Sequence, residues 1–279
     1  VYKRQVFQMS EEMFFLHYGK DGCNRHVLID ECRELFGEIY EQIPELPFCN
    51  IWTAMQLSSR LPKGALFHMG VSNTRRCWNM FQLPESVESA CNVGCCGIDG
   101  CVSTLVGASL VNPDRLCYVV VGDLTFFYDL NSLGNHHIGT NLRVMLVNNG
   151  RGTEFRLGIH HCNVFGDDAD KYMAAAGHFG NKSPLLVKHY AEDLGFHYLS
   201  ATTKEEFMTA LSNFTNPQLS DHSMILEVFT DSKDESEALY LMSHIQSDAK
   251  GMVRSKLKDA VRNVAGEKGI NAIKKILKK

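Results

Sequence analysis

The chain lacks any apolar run approaching the 18 or so residues that a membrane-spanning helix needs, which argues against a helical membrane protein. It lacks an excess of either charge. With 28 Lys and Arg against 32 Asp and Glu, no global field points to nucleic acid. Its ten cysteines include no CxxC pair, so the common zinc and redox spacings are missing. At 279 residues the chain is too large to need disulfide staples, and reduced, packed thiols in a cytoplasmic protein are the expectation. There is no initiator methionine. Val1-Tyr2-Lys3-Arg4-Gln5 reads like the translated end of a sequencing adapter, the expectation being a truncated reading frame that continues upstream.

What is present is an alternation of short apolar runs and amphipathic stretches. Positions 51–61 have helical spacing, 66–69 form a strand-like run, and 101–111 read as a helix of small residues. Strands at 118–121, 144–147, 196–199 and 224–229 are interleaved with helices at 126–133, 172–178, 185–194 and 204–214, the last capped by Thr202 or Thr203. This pattern predicts an α/β fold: a doubly wound, mostly parallel sheet with helices on both faces. Pro44 and Pro47 break the chain after helical spacing over 32–43, so 1–47 reads as the tail of a preceding domain or as an extension of the same one. Positions 48–232 hold the alternating domain and 233–279 a basic helical extension. Between 248 and 279, ten Lys and Arg outnumber three acids, with Met252, Leu257 and Val261, then Ile270, Ile273 and Leu277, at helical spacing. This tail reads as the solvated face of a docked helix; contact with an anionic membrane or a partner is the alternative.

Chemistry concentrates at 117–155. One apolar strand ends in Gly122-Asp123 and the next in Asn148-Asn149-Gly150, so each presents a polar group where open α/β sheets bind ligands. A carboxylate and a carboxamide are hard oxygen donors, suited to Mg²⁺ or Ca²⁺ rather than zinc. The strand at 66–69 runs likewise into Gly70-Val71-Ser72-Asn73-Thr74-Arg75-Arg76, where a hydroxyl and a guanidinium could grip a carboxylate or simply form a solvated basic turn. Gly94, Gly97 and Gly100 allow close backbone approach, and the surrounding Cys91, Cys95, Cys96 and Cys101 read as small packed side chains rather than a zinc set. His160-His161-Cys162 has no partner at fixed spacing, and His136-His137 reads as an interaction at a helix end.

Three segments carry a family resemblance. LFHMGVSNTRR (66–76) is similar to LFVGNSxPxR, NVGCCGIDGCVST (92–104) to NRGxSGIDGxxST, and GDLTFFYDLNSL (122–133) to GDLSxLxDLNxL. The chain thereby resembles the carboxyl-terminal, diphosphate-binding domain of thiamine-diphosphate-dependent enzymes, within that family the menaquinone-pathway 2-succinyl-5-enolpyruvyl-6-hydroxy-3-cyclohexene-1-carboxylate synthases. The resemblance implies that Asp123, Asn149 and the carbonyl of Arg151 hold Mg²⁺, and that the N–H groups of Leu124 and Thr125 face the diphosphate. It implies that Ile98 wedges the thiamine diphosphate into its bent form and that the Cys96 carbonyl accepts from its amino group. Phe155, Ser72 and Arg76 would then contact substrate, the last two through a carboxylate.

The activity implied is decarboxylation of a 2-oxo acid with transfer of the remaining carbons to an acceptor. No catalytic residue is assigned in this chain. The glutamate that activates the cofactor is expected from a pyrimidine-binding domain of the same protein or a second subunit, in a homo-oligomer such as a dimer, and this stretch alone is expected to be inactive. Three departures bear on specificity. Leu124 replaces the usual Gly of GDG, Val93 stands where the menaquinone-pathway synthases carry an Arg, and Asn149 is followed by Gly150-Arg151-Gly152, with the Asp123–Asn149 spacing one residue short. Other thiamine-diphosphate-dependent decarboxylases, acetolactate-synthase-like enzymes and a non-catalytic partner subunit of this fold remain the alternatives.

Overall fold

The computed structural model describes residues 9–19, 27–95, 97–158, 160–171 and 183–245. Cys96, the helix expected at 172–178 and the basic tail lie outside the described residues. The chain divides into two compact units, 1–43 and 44–279, with Pro44 at the boundary. The first holds α1 (Glu11–Tyr18), whose first turn is capped by the Ser10 hydroxyl, and α2 (Val27–Glu41).

The second unit is built on six strands: β1 (Leu66–Met69), β2 (Glu88–Cys91), β3 (Cys117–Gly122), β4 (Leu142–Asn148), β5 (His197–Ala201) and β6 (Met224–Phe229). All neighbours pair in parallel, in the order β2-β1-β3-β4-β6-β5. Its helices are α3 (Asn50–Leu57), α4 (Asn73–Trp78), α5 (Cys101–Val111), α6 (Asp123–Tyr128), α7 (Leu186–Asp193), α8 (Lys204–Phe214) and α9 (Ser232–Ser243). This is the doubly wound α/β fold that the alternating sequence predicts.

β3 and β4 lie at the centre, covered on both faces, and therefore read as continuous apolar runs instead of alternating ones. On one face Cys117, Val119 and Val121 pack with Leu142, Val144 and Leu146 against Val102, Leu105 and Val106 of α5, Phe126 of α6 and Val187 and Ala191 of α7. Each large apolar side chain removed from water here contributes about 1.5–3 kcal/mol. On the other face the Tyr118 hydroxyl donates to the Phe214 carbonyl at 3.0 Å, and the two rings meet edge to face at 5.5 Å. Phe67, paired with Tyr118 in the β1–β3 register, meets Trp78 of α4 at 5.0 Å. Arg143 is fully buried in β4 and donates to the carbonyls of Thr140 and Leu142 and to the Ser220 hydroxyl at the amino end of the sheet. At α8 the helix cap is Thr203, whose hydroxyl accepts from Glu206 N, while the Glu206 carboxylate accepts from both the N–H and the hydroxyl of Thr202.

Some elements differ from expectation. The helix expected at 126–133 starts earlier, at Asp123, and stops at Tyr128; a separate 3-10 turn covers Leu130–Gly134. The break falls at Asp129, whose carboxylate turns aside to accept from the Ser103 N–H at 2.6 Å. β2 carries no apolar run because it is an exposed edge strand. α9, at the start of the expected basic extension, is opened by acids and buries Glu235, Ala238 and Leu239 in the second unit. Among the described residues no helix is long and apolar enough to cross a membrane.

The strand order fixes where a ligand can enter. After β1 the chain moves to β2 on one side; after β3 it moves to β4 on the other. The carboxyl ends of β1 and β3 thus diverge, and a crevice opens between them.

Candidate functional site

The β3–β4 register sets Gly122 opposite Val147. Asp123 therefore stands beside Asn148, and Asn149 lies one residue beyond, on strands about 4.8 Å apart. Asp123 is buried, 3% exposed, and its Oδ1 accepts from Leu124 N at 2.8 Å. The Leu124 N–H, expected at a diphosphate, thus donates to Asp123 in this structure; Thr125 beside it is buried. Asn149 is half-buried, and its Oδ1 takes the Arg151 N–H at 3.4 Å. The turn between them needs Gly150, at φ +82°, a left-handed conformation that suits glycine. The Arg151 carbonyl accepts from Thr153 N at 2.9 Å.

These donors are all oxygens from one carboxylate, one carboxamide and one carbonyl. That set fits a hard divalent cation such as Mg²⁺ and leaves coordination positions for phosphate oxygens. Among the described residues no group of three or more His, Cys, Asp and Glu could hold a metal ion, which covers His160-His161-Cys162 and the described cysteines near Gly94. None of the eight described cysteines forms a disulfide. His136 and His137 are exposed, ring against ring at 3.8 Å.

Beyond β1, Ser72 takes φ 61° and ψ −121°, the only positive φ on a non-glycine among the described residues. Such strain costs roughly 1–3 kcal/mol and persists where neighbours hold it. Here the Gly70 N–H bonds the Val120 carbonyl at 2.7 Å, and a Cβ on Gly70 would stand 3.2 Å from that oxygen. The Ser72 carbonyl accepts from Arg76 N, so the two residues lie one helical turn apart on one face of α4. The Ser72 hydroxyl makes no cap on that helix. The Arg76 guanidinium is already engaged: Nη1 donates to Glu154 Oε2 at 2.7 Å and Nη2 to Oε1 at 2.9 Å. That bidentate bond to Glu154 holds Arg76 above its ordinary pKa range. Phe155, next to Glu154, is half-buried with its ring edge-on to His160 at 5.2 Å.

The third wall comes from the turn ahead of α5. Ile98 is half-buried in it, and Val93 is 44% exposed. Gly100, at φ 78°, starts α5, and the Asp129 carboxylate covers its first-turn amide at Ser103. The buried Cys101 thiol, its pKa raised by burial, bonds the Val71 backbone, tying the start of α5 to the segment between β1 and α4. Asp123, Asn149, Ser72, Arg76 and Phe155 thus follow the carboxyl ends of the adjacent β1, β3 and β4, with Ile98 on a turn joined to the first of these.

Two residues escaped the sequence reading. Glu154 carries no sequence signal, because its partner Arg76 is 78 positions away. Glu235 does carry one: it recurs with Ala238 and Leu239 at helical spacing, which marks a buried face. Its Oε1 accepts from Asn50 N and the Thr230 hydroxyl, at 3.0 and 2.8 Å. The Asn50 side chain in turn accepts from Trp78 Nε1 of α4.

No family model matches the chain. Curated proteins do match, over about 70% of the chain. The chain is similar to 2-succinyl-5-enolpyruvyl-6-hydroxy-3-cyclohexene-1-carboxylate synthases. It is 34% identical to the synthase of Bacteroides fragilis over 196 residues, 70% of this chain and 34% of the relative. With the synthase of Phocaeicola vulgatus the identity is 34% over 200 residues, 71% of this chain and 34% of the relative. With that of Christiangramia forsetii it is 33% over 199 residues, 71% and 33%. The chain thus spans about a third of the length of the synthases it matches.

Proposed function

We propose that the second unit is the diphosphate- and metal-binding domain of a thiamine-diphosphate- and Mg²⁺-dependent enzyme. That enzyme would decarboxylate a 2-oxo acid and join the remaining carbons to an acceptor, as a menaquinone-pathway synthase does. The observation that carries the reading is the β3–β4 register, which brings buried Asp123 beside Asn148, one residue short of half-buried Asn149, next to the β1/β3 switch point. Similarity to the synthases over some 70% of the chain supports it independently.

When bound, thiamine diphosphate supplies the nucleophilic carbon that adds to a 2-oxo acid and allows CO₂ to leave. The chain's own residues position and neutralise. Asp123, Asn149 and the Arg151 carbonyl would hold the cation that offsets the diphosphate charge. The Leu124 and Thr125 N–H groups would face that charge, Leu124 exchanging its present bond to Asp123. Ile98 and the Cys96 carbonyl would orient the rings, and Ser72, Arg76 and Phe155 would line the substrate side. The proton-handling glutamate would come from a pyrimidine-binding domain of the same protein or of a second subunit in a homo-oligomer, in the cytoplasm. Calorimetric titration with thiamine diphosphate and Mg²⁺ tests the reading: a binding heat is expected, and none at millimolar ligand overturns it.

Val93 at the position of a substrate-holding Arg, together with an Arg76 already paired to Glu154, favours a second reading with the same cofactor and a different substrate. CO₂ release by the whole enzyme separates them. 2-Oxoglutarate outpacing pyruvate supports the menaquinone-type donor, and the reverse supports an acetolactate-synthase-like enzyme.

A further inference from the structure

The Arg76–Glu154 pair crosses the proposed site. Arg76 lies on α4, after β1, and Glu154 follows β4, yet β3 separates those strands in the sheet. The pair therefore reaches over the carboxyl end of β3, where Asp123 stands. Its geometry is fork to fork, both terminal guanidinium nitrogens meeting both carboxylate oxygens at 2.7 and 2.9 Å. A ligand carboxylate would need that same arrangement. The side chains remain 33% and 24% exposed, so the pair is open to exchange with a ligand and is not sealed in the core.

We propose that Glu154 is a specificity-determining residue, a resident carboxylate that fills the Arg76 fork. The site then takes a ligand that is uncharged at this end, and admits a carboxylate only by breaking the pair. A carboxylate ligand must pay for the exchange in affinity, while a carboxamide of the same shape has no claim on the fork. The proposal takes its substrate class from the thiamine diphosphate reading, but the occupied fork itself is a geometric fact independent of the cofactor.

The test uses the chain as it stands and succinate and succinamide as probes. Binding is measured by calorimetry with and without thiamine diphosphate and Mg²⁺, for the wild type, Glu154→Gln, Glu154→Asp and the double variant Glu154→Gln/Arg76→Gln. Glu154→Gln is expected to bind succinate about tenfold tighter than the wild type, with succinamide unchanged. Glu154→Asp, which keeps the charge on a shorter arm, is expected to give a smaller gain, and the double variant none. Succinate binding that is unchanged or undetectable in Glu154→Gln overturns the proposal, as does a gain that survives loss of Arg76. Loss of the fold in both Glu154→Gln and Glu154→Asp also overturns it, since a pair that the fold requires cannot be exchanged for a ligand. Failure of the cofactor reading looks different: no heat with thiamine diphosphate, while the succinate gain in Glu154→Gln stands.

Discussion

Glu235 is a carboxylate that the fold buries. It is 1% exposed, Oε1 carries both of its hydrogen bonds, and Oε2 has none among the described residues. Burial, more than any neighbouring charge, pushes its carboxyl up to about 7. Since the folded value lies above the ordinary value of 4.5, the folded chain binds the proton more tightly than the unfolded one. The stabilisation is therefore fully present below about pH 4.5 and is lost as pH rises through about 7. We expect the wild type to lose stability between pH 5 and pH 8 by up to roughly 3 kcal/mol relative to Glu235→Gln, as a difference in urea midpoints. Parallel pH profiles for the two proteins would exclude this role. The positions of Asp123 and Asn149 just past the ends of β3 and β4 were legible because each follows an apolar run, a local signal. Glu154 was not, and neither was the pairing of Glu235 with Asn50, 185 positions away, because ion pairs and buried hydrogen bonds are settled by the fold.

Among the elements, strands inside the sheet were legible almost to their ends, since burial on both faces demands unbroken apolar runs. The edge strand β2, Glu-Ser-Ala-Cys, has no such demand on it. α4 was also missed, its six residues opening on a strained Ser72 that no helix-start rule selects. The division of 123–134 into a helix and a 3-10 turn turns on Asp129, which leaves its own helix to cap α5. Its carboxylate meets an amide of the first turn, where both the open N–H and the helix dipole favour negative charge. Asp129→Ala should therefore cost about 1 kcal/mol in denaturant unfolding at unchanged slope. If α5 also positions the turn that carries Ile98, the same variant should weaken thiamine diphosphate binding while leaving the succinate response of Glu154→Gln intact. A variant as stable as the wild type would show that α5 does not depend on this cap.

For the whole molecule, alternation in the sequence foretold a doubly wound sheet but not the order β2-β1-β3-β4-β6-β5, which depends on which strands pair. The order matters because it places the switch point between β1 and β3, so segments distant in sequence converge on one crevice. A ligand that binds only this converged form must stabilise the unit by mass action, by about 2.7 kcal/mol at a hundred times its dissociation constant. For a unit of this size that corresponds to a rise in melting temperature of about 5–10 °C. Thiamine diphosphate with Mg²⁺ should produce such a rise, and EDTA should reverse it, because the proposed cation offsets the diphosphate charge. Asp123→Ala should melt near the untreated wild type and gain nothing from cofactor and metal, as it removes the one buried carboxylate of the proposed cation set. An undiminished shift in Asp123→Ala would place the cation elsewhere and separate the β3–β4 register from the function argued from it.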